Sequence, residues 1–69
     1  MATWRFYIQI ENGVWQPKPS KLKACSAARA IMIKTGQQVY YIKRRNNDIF
    51  KYKITTSGEE RRVEVKDDL

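Results

Sequence analysis

A chain of 69 residues holds one domain, and a domain this short buries only roughly 60% of the surface its unfolded chain exposes. Fourteen Lys and Arg against seven Asp and Glu give a net charge of +7, a balance that favours an anionic partner. With no histidine and one cysteine, Cys25, the chain has no internal disulfide, no histidine to serve as a catalytic base and no zinc site.

Secreted domains of this size usually need disulfide staples, so a reducing, cytoplasmic compartment is expected. The longest apolar run falls far short of the ~20 residues that span a bilayer. Residues 4–8 alternate like an amphipathic strand and do not form an apolar signal core. No membrane association is expected. The charge is uneven. Residues 1–36 carry six basic side chains and one acid, Glu11. Residues 43–53 carry five basic side chains and one acid, Asp48.

Residues 3–10 form the first expected strand. Trp4, Phe6, Ile8 and Ile10 share one side; Arg5, Tyr7 and Gln9 share the other. That is the period of a half-buried strand. Asn12-Gly13 is a preferred two-residue hairpin pair, so a type I′ turn is expected there. It would set Glu11 against Val14 and Trp15 against Ile10, on the core side. Residues 14–17 then make a short strand. Pro17 and Pro19 end it and assign it to a sheet edge.

Ser20 is a good N-cap, and residues 21–35 read as a helix closed by Gly36. Leu22, Ala24, Cys25, Ala28, Ile31 and Met32 spread over one side of it. Lys21 and Lys23 in the first turn oppose the helix dipole mildly.

Two alternating runs follow, residues 38–45 and 49–56, around Asn46, Asn47 and Asp48. In the second, Phe50, Tyr52 and Ile54 face one way and Lys51 and Lys53 the other. The first has two registers. A strict two-residue turn at Asn46-Asn47 pairs Tyr41 with Tyr52. The alternative turns Tyr40 and Ile42 inward and leaves Tyr41, Lys43 and Arg45 in water. The second is preferred, because it buries Ile42 and solvates both charges. Ser57-Gly58 signals a further turn, and residues 61–66 make a last strand with Val63 and Val65 inward. Arg62, Glu64 and Lys66 then face outward, and Asp67, Asp68 and Leu69 fray.

The order β-β-α-β-β-β implies a single α+β domain over residues 1–69. One antiparallel sheet carries one helix on one face. Expected core residues are Trp4, Phe6, Ile8, Ile10, Trp15, Ala28, Ile31, Met32, Phe50, Tyr52, Ile54 and Val63.

Catalytic patterns are absent from the sequence. Cys25 occupies an apolar helical position, where a small buried hydrophobe is the ordinary reading. Glu59 and Glu60 are neighbours in a polar turn and do not converge on a substrate. No glycine loop that cradles phosphates occurs. No enzymatic activity, metal or cofactor is expected.

The face without the helix would carry Arg5, Tyr7, Tyr41, Lys43, Arg45, Lys51 and Lys53. Cations neutralise phosphates and flat rings stack on unpaired bases. The expected function is therefore non-enzymatic binding of nucleic acid, DNA or RNA, through this basic, tyrosine-bearing face. The alternative is a small adaptor or inhibitor that binds an acidic protein through an edge strand or by covering its surface. The simpler explanation for the charges is solubility, with strand lysines preventing edge association. Either a monomer or a homodimer paired through a sheet edge fits the pattern.

Overall fold

The computed structural model describes residues 3–63. It contains β1 (Arg5–Ile10), β2 (Trp15–Lys18), α1 (Lys21–Thr35), β3 (Val39–Arg45), β4 (Asp48–Ile54) and β5 (Glu60–Val63). The strands form one antiparallel sheet in the order β2-β1-β3-β4-β5. The expected α+β architecture is what the chain adopts. Glu64, Val65, Lys66, Asp67, Asp68 and Leu69, assigned above to the last strand and a frayed end, lie outside the described residues.

The helix begins and ends where its capping chemistry requires. The Ser20 hydroxyl accepts from the Lys23 amide at 3.2 Å, satisfying one of the orphan donors of the first turn. Gly36 adopts φ 73° and its N–H donates to Met32 O at 2.9 Å, the left-handed stop that glycine accepts without a Cβ penalty. Between them, Ala24, Ala28 and Met32 are buried. Two of these are alanines, so the helix axis comes close to β1 and β3. Ile8, Val39, Tyr41 and Ile54 complete the core, with Phe6, Ile10, Ile31 and Tyr52 half-buried around it. Leu22, placed on the inner side by the helical wheel, is exposed. It sits in the first turn of the helix.

The β1–β2 connection differs from expectation. Gly13 N donates to Ile10 O at 2.9 Å, so Glu11 and Asn12 are the central residues of the turn. Glu11, not Gly13, takes the positive φ, 51°. Glu11 N is tied to Gln38 O at 2.7 Å, and the Glu11 carboxylate accepts from the Gln37 side chain at 3.1 Å. These bonds hold Glu11 in its left-handed conformation. The shifted turn pairs Gln9 with Trp15. Trp15 therefore lies on the face away from the helix, against Tyr7, and not in the core.

The β3–β4 hairpin takes the strict two-residue register and not the one that solvates Lys43 and Arg45 on the open face. A two-residue turn pairs Arg45 with Asp48, Lys43 with Phe50 and Tyr41 with Tyr52, with Asn46 at φ 55°. Tyr41 is 1% exposed on the helix side and Ile42 is fully buried on the opposite side. Three things favour this register. It sets Arg45 opposite Asp48, gives Asn46 the left-handed backbone that asparagine tolerates, and stacks Tyr41 between Phe6 at 6.2 Å and Tyr52 at 5.6 Å. At the last strand, Val63 pairs with Lys51 and Arg62 with Tyr52. Val63 therefore faces away from the helix and Arg62 towards it, the reverse of expectation.

Candidate nucleic-acid interface

The sheet pairings arrange the face without the helix in rows. One row crosses Pro17, Tyr7, Ile42, Lys51 and Val63. The next crosses Trp15, Gln9, Tyr40, Lys53 and Arg61. At the end near the β3–β4 turn, Arg5 lies opposite Arg44 and Arg44 opposite Ile49. Among the described residues, the ionised side chains of this face are Arg5, Arg44, Lys51, Lys53 and Arg61. All are cations.

Rings and charges are sorted across it. Trp15 and Tyr7 meet at 5.6 Å with their planes tilted by 50°, on the β2–β1 side. Lys53 and Arg61 stand on the β4–β5 side, both exposed. Between them, the Lys51 ammonium lies 4.1 Å from the centre of the Tyr40 ring. That reach crosses the position of Ile42, whose neighbours on this face are long side chains. It explains how Ile42 is fully buried on a face that no helix covers.

Gln9 is fixed beside Trp15 because its side-chain N–H donates to Gly13 O at 3.0 Å. Its carbonyl oxygen is buried and finds no partner among the described residues.

Of the residues expected to form the site, Arg5, Tyr7, Lys51 and Lys53 share this face. Tyr41, Lys43 and Arg45 do not. The two-residue turn shifts β3 by one position, and a one-residue slip in a strand moves every side chain to the other face. Tyr41 is enclosed beneath the helix. Burial pushes its phenol up from the usual value near 10, with Cys25, Glu60 and Tyr52 adding to the effect. Lys43 and Arg45 reach solvent by another route, past the first turn of the helix. Their places on the open face are taken by Tyr40 and Arg44. Both follow from the register set aside above, so that signal was present in the sequence. Trp15 joins because of the shifted β1–β2 turn, and Arg61 because β5 pairs Lys53 with it.

Cys25 is half-buried in the helix, and its thiol is pushed up by burial and then by Glu60. Glu60 is paired with Lys21 at 3.5 Å. Among the described residues, no cluster of three or more His, Cys, Asp or Glu side chains is placed to hold a metal ion, and no helix is long and apolar enough to cross a membrane. Comparison with protein-family models, with curated proteins and with solved structures found no match to this chain.

Proposed function

We propose that this chain is a small, non-enzymatic nucleic-acid-binding protein of a reducing, cytoplasmic compartment, acting through the open face of its sheet. One observation carries the reading: among the described residues the charged groups of that face are all cations, and they share it with Tyr7, Trp15 and Tyr40. A single strand carries phosphates along one side and unpaired bases along the other. Lys53 and Arg61 suit the first, Trp15 and Tyr7 the second. A duplex would use the cations and leave the rings idle.

The test is fluorescence anisotropy with labelled single strands and duplexes over a salt series. Lys51→Ala and Lys53→Ala should each weaken binding and flatten the log-affinity versus log-salt slope by about 0.7 on single strands. Tyr7→Ala and Trp15→Ala should cost about 1–3 kcal/mol on single strands, with little change in slope. Absence of binding at low salt, where electrostatic attraction is strongest, would refute the proposal.

A second reading, an adaptor for an acidic protein, gains from Trp4 and Trp15, which are half-buried and not enclosed. Tryptophan at a partly open site suits an interface anchor. Capture of an acidic protein with no measurable affinity for nucleic acid would select that reading.

A further inference from the structure

The helix side of the sheet is not wholly covered. The helix lies over Ile8, Val39, Tyr41 and Ile54, and the ammonium of its first residue, Lys21, stands 5.8 Å from the Tyr41 ring centre. Beyond that point Trp4, Lys43, Phe50, Arg45 and Arg62 form a shelf. Trp4 and Phe50 are 5.7 Å apart. The Lys43 ammonium lies 4.7 Å from the Trp4 ring centre and 5.5 Å from that of Phe50. The Arg45 guanidinium is 4.4 Å from Trp4, and that of Arg62 is 4.6 Å from Phe50. Arg45 and Arg62 are exposed. Among the described residues no ion pair engages these cations. Asp48 is opposite Arg45 in register but outside ion-pair distance.

Mutually repelling cations held over two shared rings are ordered by the ring quadrupoles, and Arg45 and Arg62 remain exposed to solvent. The chemistry differs from the open face. There Tyr7 and Trp15 lie against one another. Here the Trp4 and Phe50 rings are occupied by cations, so they do not offer a base a free stacking surface. Guanidinium groups take phosphate oxygens bidentately. Resting on the nucleic-acid reading above, we infer that this shelf is a second nucleic-acid site, one that holds the phosphate backbone irrespective of sequence or strandedness, so that one molecule bridges two segments.

The two surfaces are on opposite sides of one sheet, and the β3–β4 hairpin serves both. Lys43 and Arg45 point to one side, Arg44 and Lys51 to the other. Bases are held on the open face, and a second segment is held by charge alone.

Native mass spectrometry tests this by counting, using a short single strand and a short duplex together at low salt. The wild-type protein should give complexes of one protein with two oligonucleotides. The double variant Arg45→Gln, Arg62→Gln should give one-to-one complexes. Its second-site affinity should fall by about tenfold or more, and its first-site affinity should stay within about threefold. A wild type that binds only one oligonucleotide when oligonucleotide is in excess overturns the inference and leaves the open-face reading standing. So does a double variant that still binds two. Displacement of the second oligonucleotide by polyglutamate as readily as by duplex of equal charge overturns the nucleic-acid assignment of the shelf. A wild type that binds no oligonucleotide overturns the open-face reading itself.

Discussion

Replacing Tyr41 by Phe should stabilise the domain. Tyr41 is 1% exposed, and its ring stacks between Phe6 and Tyr52. Its hydroxyl is buried and meets no hydrogen-bonding group among the described residues. Leaving a buried hydroxyl unpaired costs about 1–3 kcal/mol. Tyr41→Phe removes that atom and keeps both ring contacts. The expected gain is about 1 kcal/mol at the low end of this range, a rise in Tm of about 4–8 °C for a domain of this size. Thermal unfolding by circular dichroism measures it directly. A fall in Tm would refute the reasoning, because it would mean that the hydroxyl is satisfied and contributes to stability.

The same residue makes a pH-dependent prediction with a definite sign. Burial raises the folded-state phenol above its usual value near 10. The unfolded chain releases this proton near pH 10, while the folded chain retains it. The Tyr41 contribution is therefore complete below about pH 10 and is lost as pH rises further. Cys25 is raised from 9.0 for the same main reason and adds a loss of the same sign, starting lower. Wild-type stability should decline in alkali from about pH 9, and Tyr41→Phe should flatten the part of the decline above about pH 10. An identical alkaline profile for the two proteins would show that Tyr41 is not the group responsible.

Further predictions concern the backbone and the half-buried rim. Gly36→Ala meets nothing within 4 Å of the new Cβ, but forces alanine to φ 73°; the loss should be about 1 kcal/mol, read from urea unfolding, and an unchanged midpoint would contradict the cap. Gly13→Ala acts by crowding instead, since its Cβ would sit 3.0 Å from Ile10 O; it should lower the urea midpoint without positive φ being involved, and an unaltered midpoint would show that the turn yields freely. Phe6→Ala removes a ring that is only half-buried and stacked on Tyr41; it should cost about 2 kcal/mol, less than the roughly 3–5 kcal/mol of an enclosed ring, and a loss within that higher range would show that the ring is enclosed.

The fold was legible in the sequence because its signals are local. Period-two alternation over residues 4–10, the Ser20 cap, the Gly36 stop and the run from Phe50 to Ile54 each identify an element without reference to the others. The face of each strand was less legible, because that depends on where turns close. At Asn12-Gly13 the favoured dipeptide was present, yet tertiary hydrogen bonds from Glu11 to the Gln37 and Gln38 segment moved the turn one residue earlier. At Asn46-Asn47, solvation of Lys43 and Arg45 would select the other register only if the helix covered the whole of its face. It does not. Charged side chains on the helix side reach water past the first helical turn and rest on Trp4 and Phe50. Three of the seven expected site residues, Tyr41, Lys43 and Arg45, thereby lie on the other side of the sheet.

The placement of the helix along the strands explains why cations lie on the helix side of this sheet as well as on the open side. Fifteen residues at 1.5 Å rise make a helix of roughly 22 Å, while β3 and β4, with seven residues each, extend roughly 23 Å at strand spacing. The two lengths are similar, but the helix is not centred on the strands. Its last turn reaches Gln38, which contacts Met32 and donates to Ile54 O at 3.2 Å, while its first turn reaches only as far as Tyr41 and Glu60. The uncovered remainder is the β3–β4 end. A purely apolar surface there would invite association. Lys43, Arg45 and Arg62 cover its rings with charge instead, and Arg5, Arg44 and Lys51 stand on the opposite side. The β3–β4 end thus carries cations on both sides of the sheet; substitution of Arg44 or Lys51 should change the salt dependence of the open face, and substitution of Arg45 or Arg62 that of the shelf. Substitutions at Trp15 or Lys53, farther along the strands, should affect the open face alone.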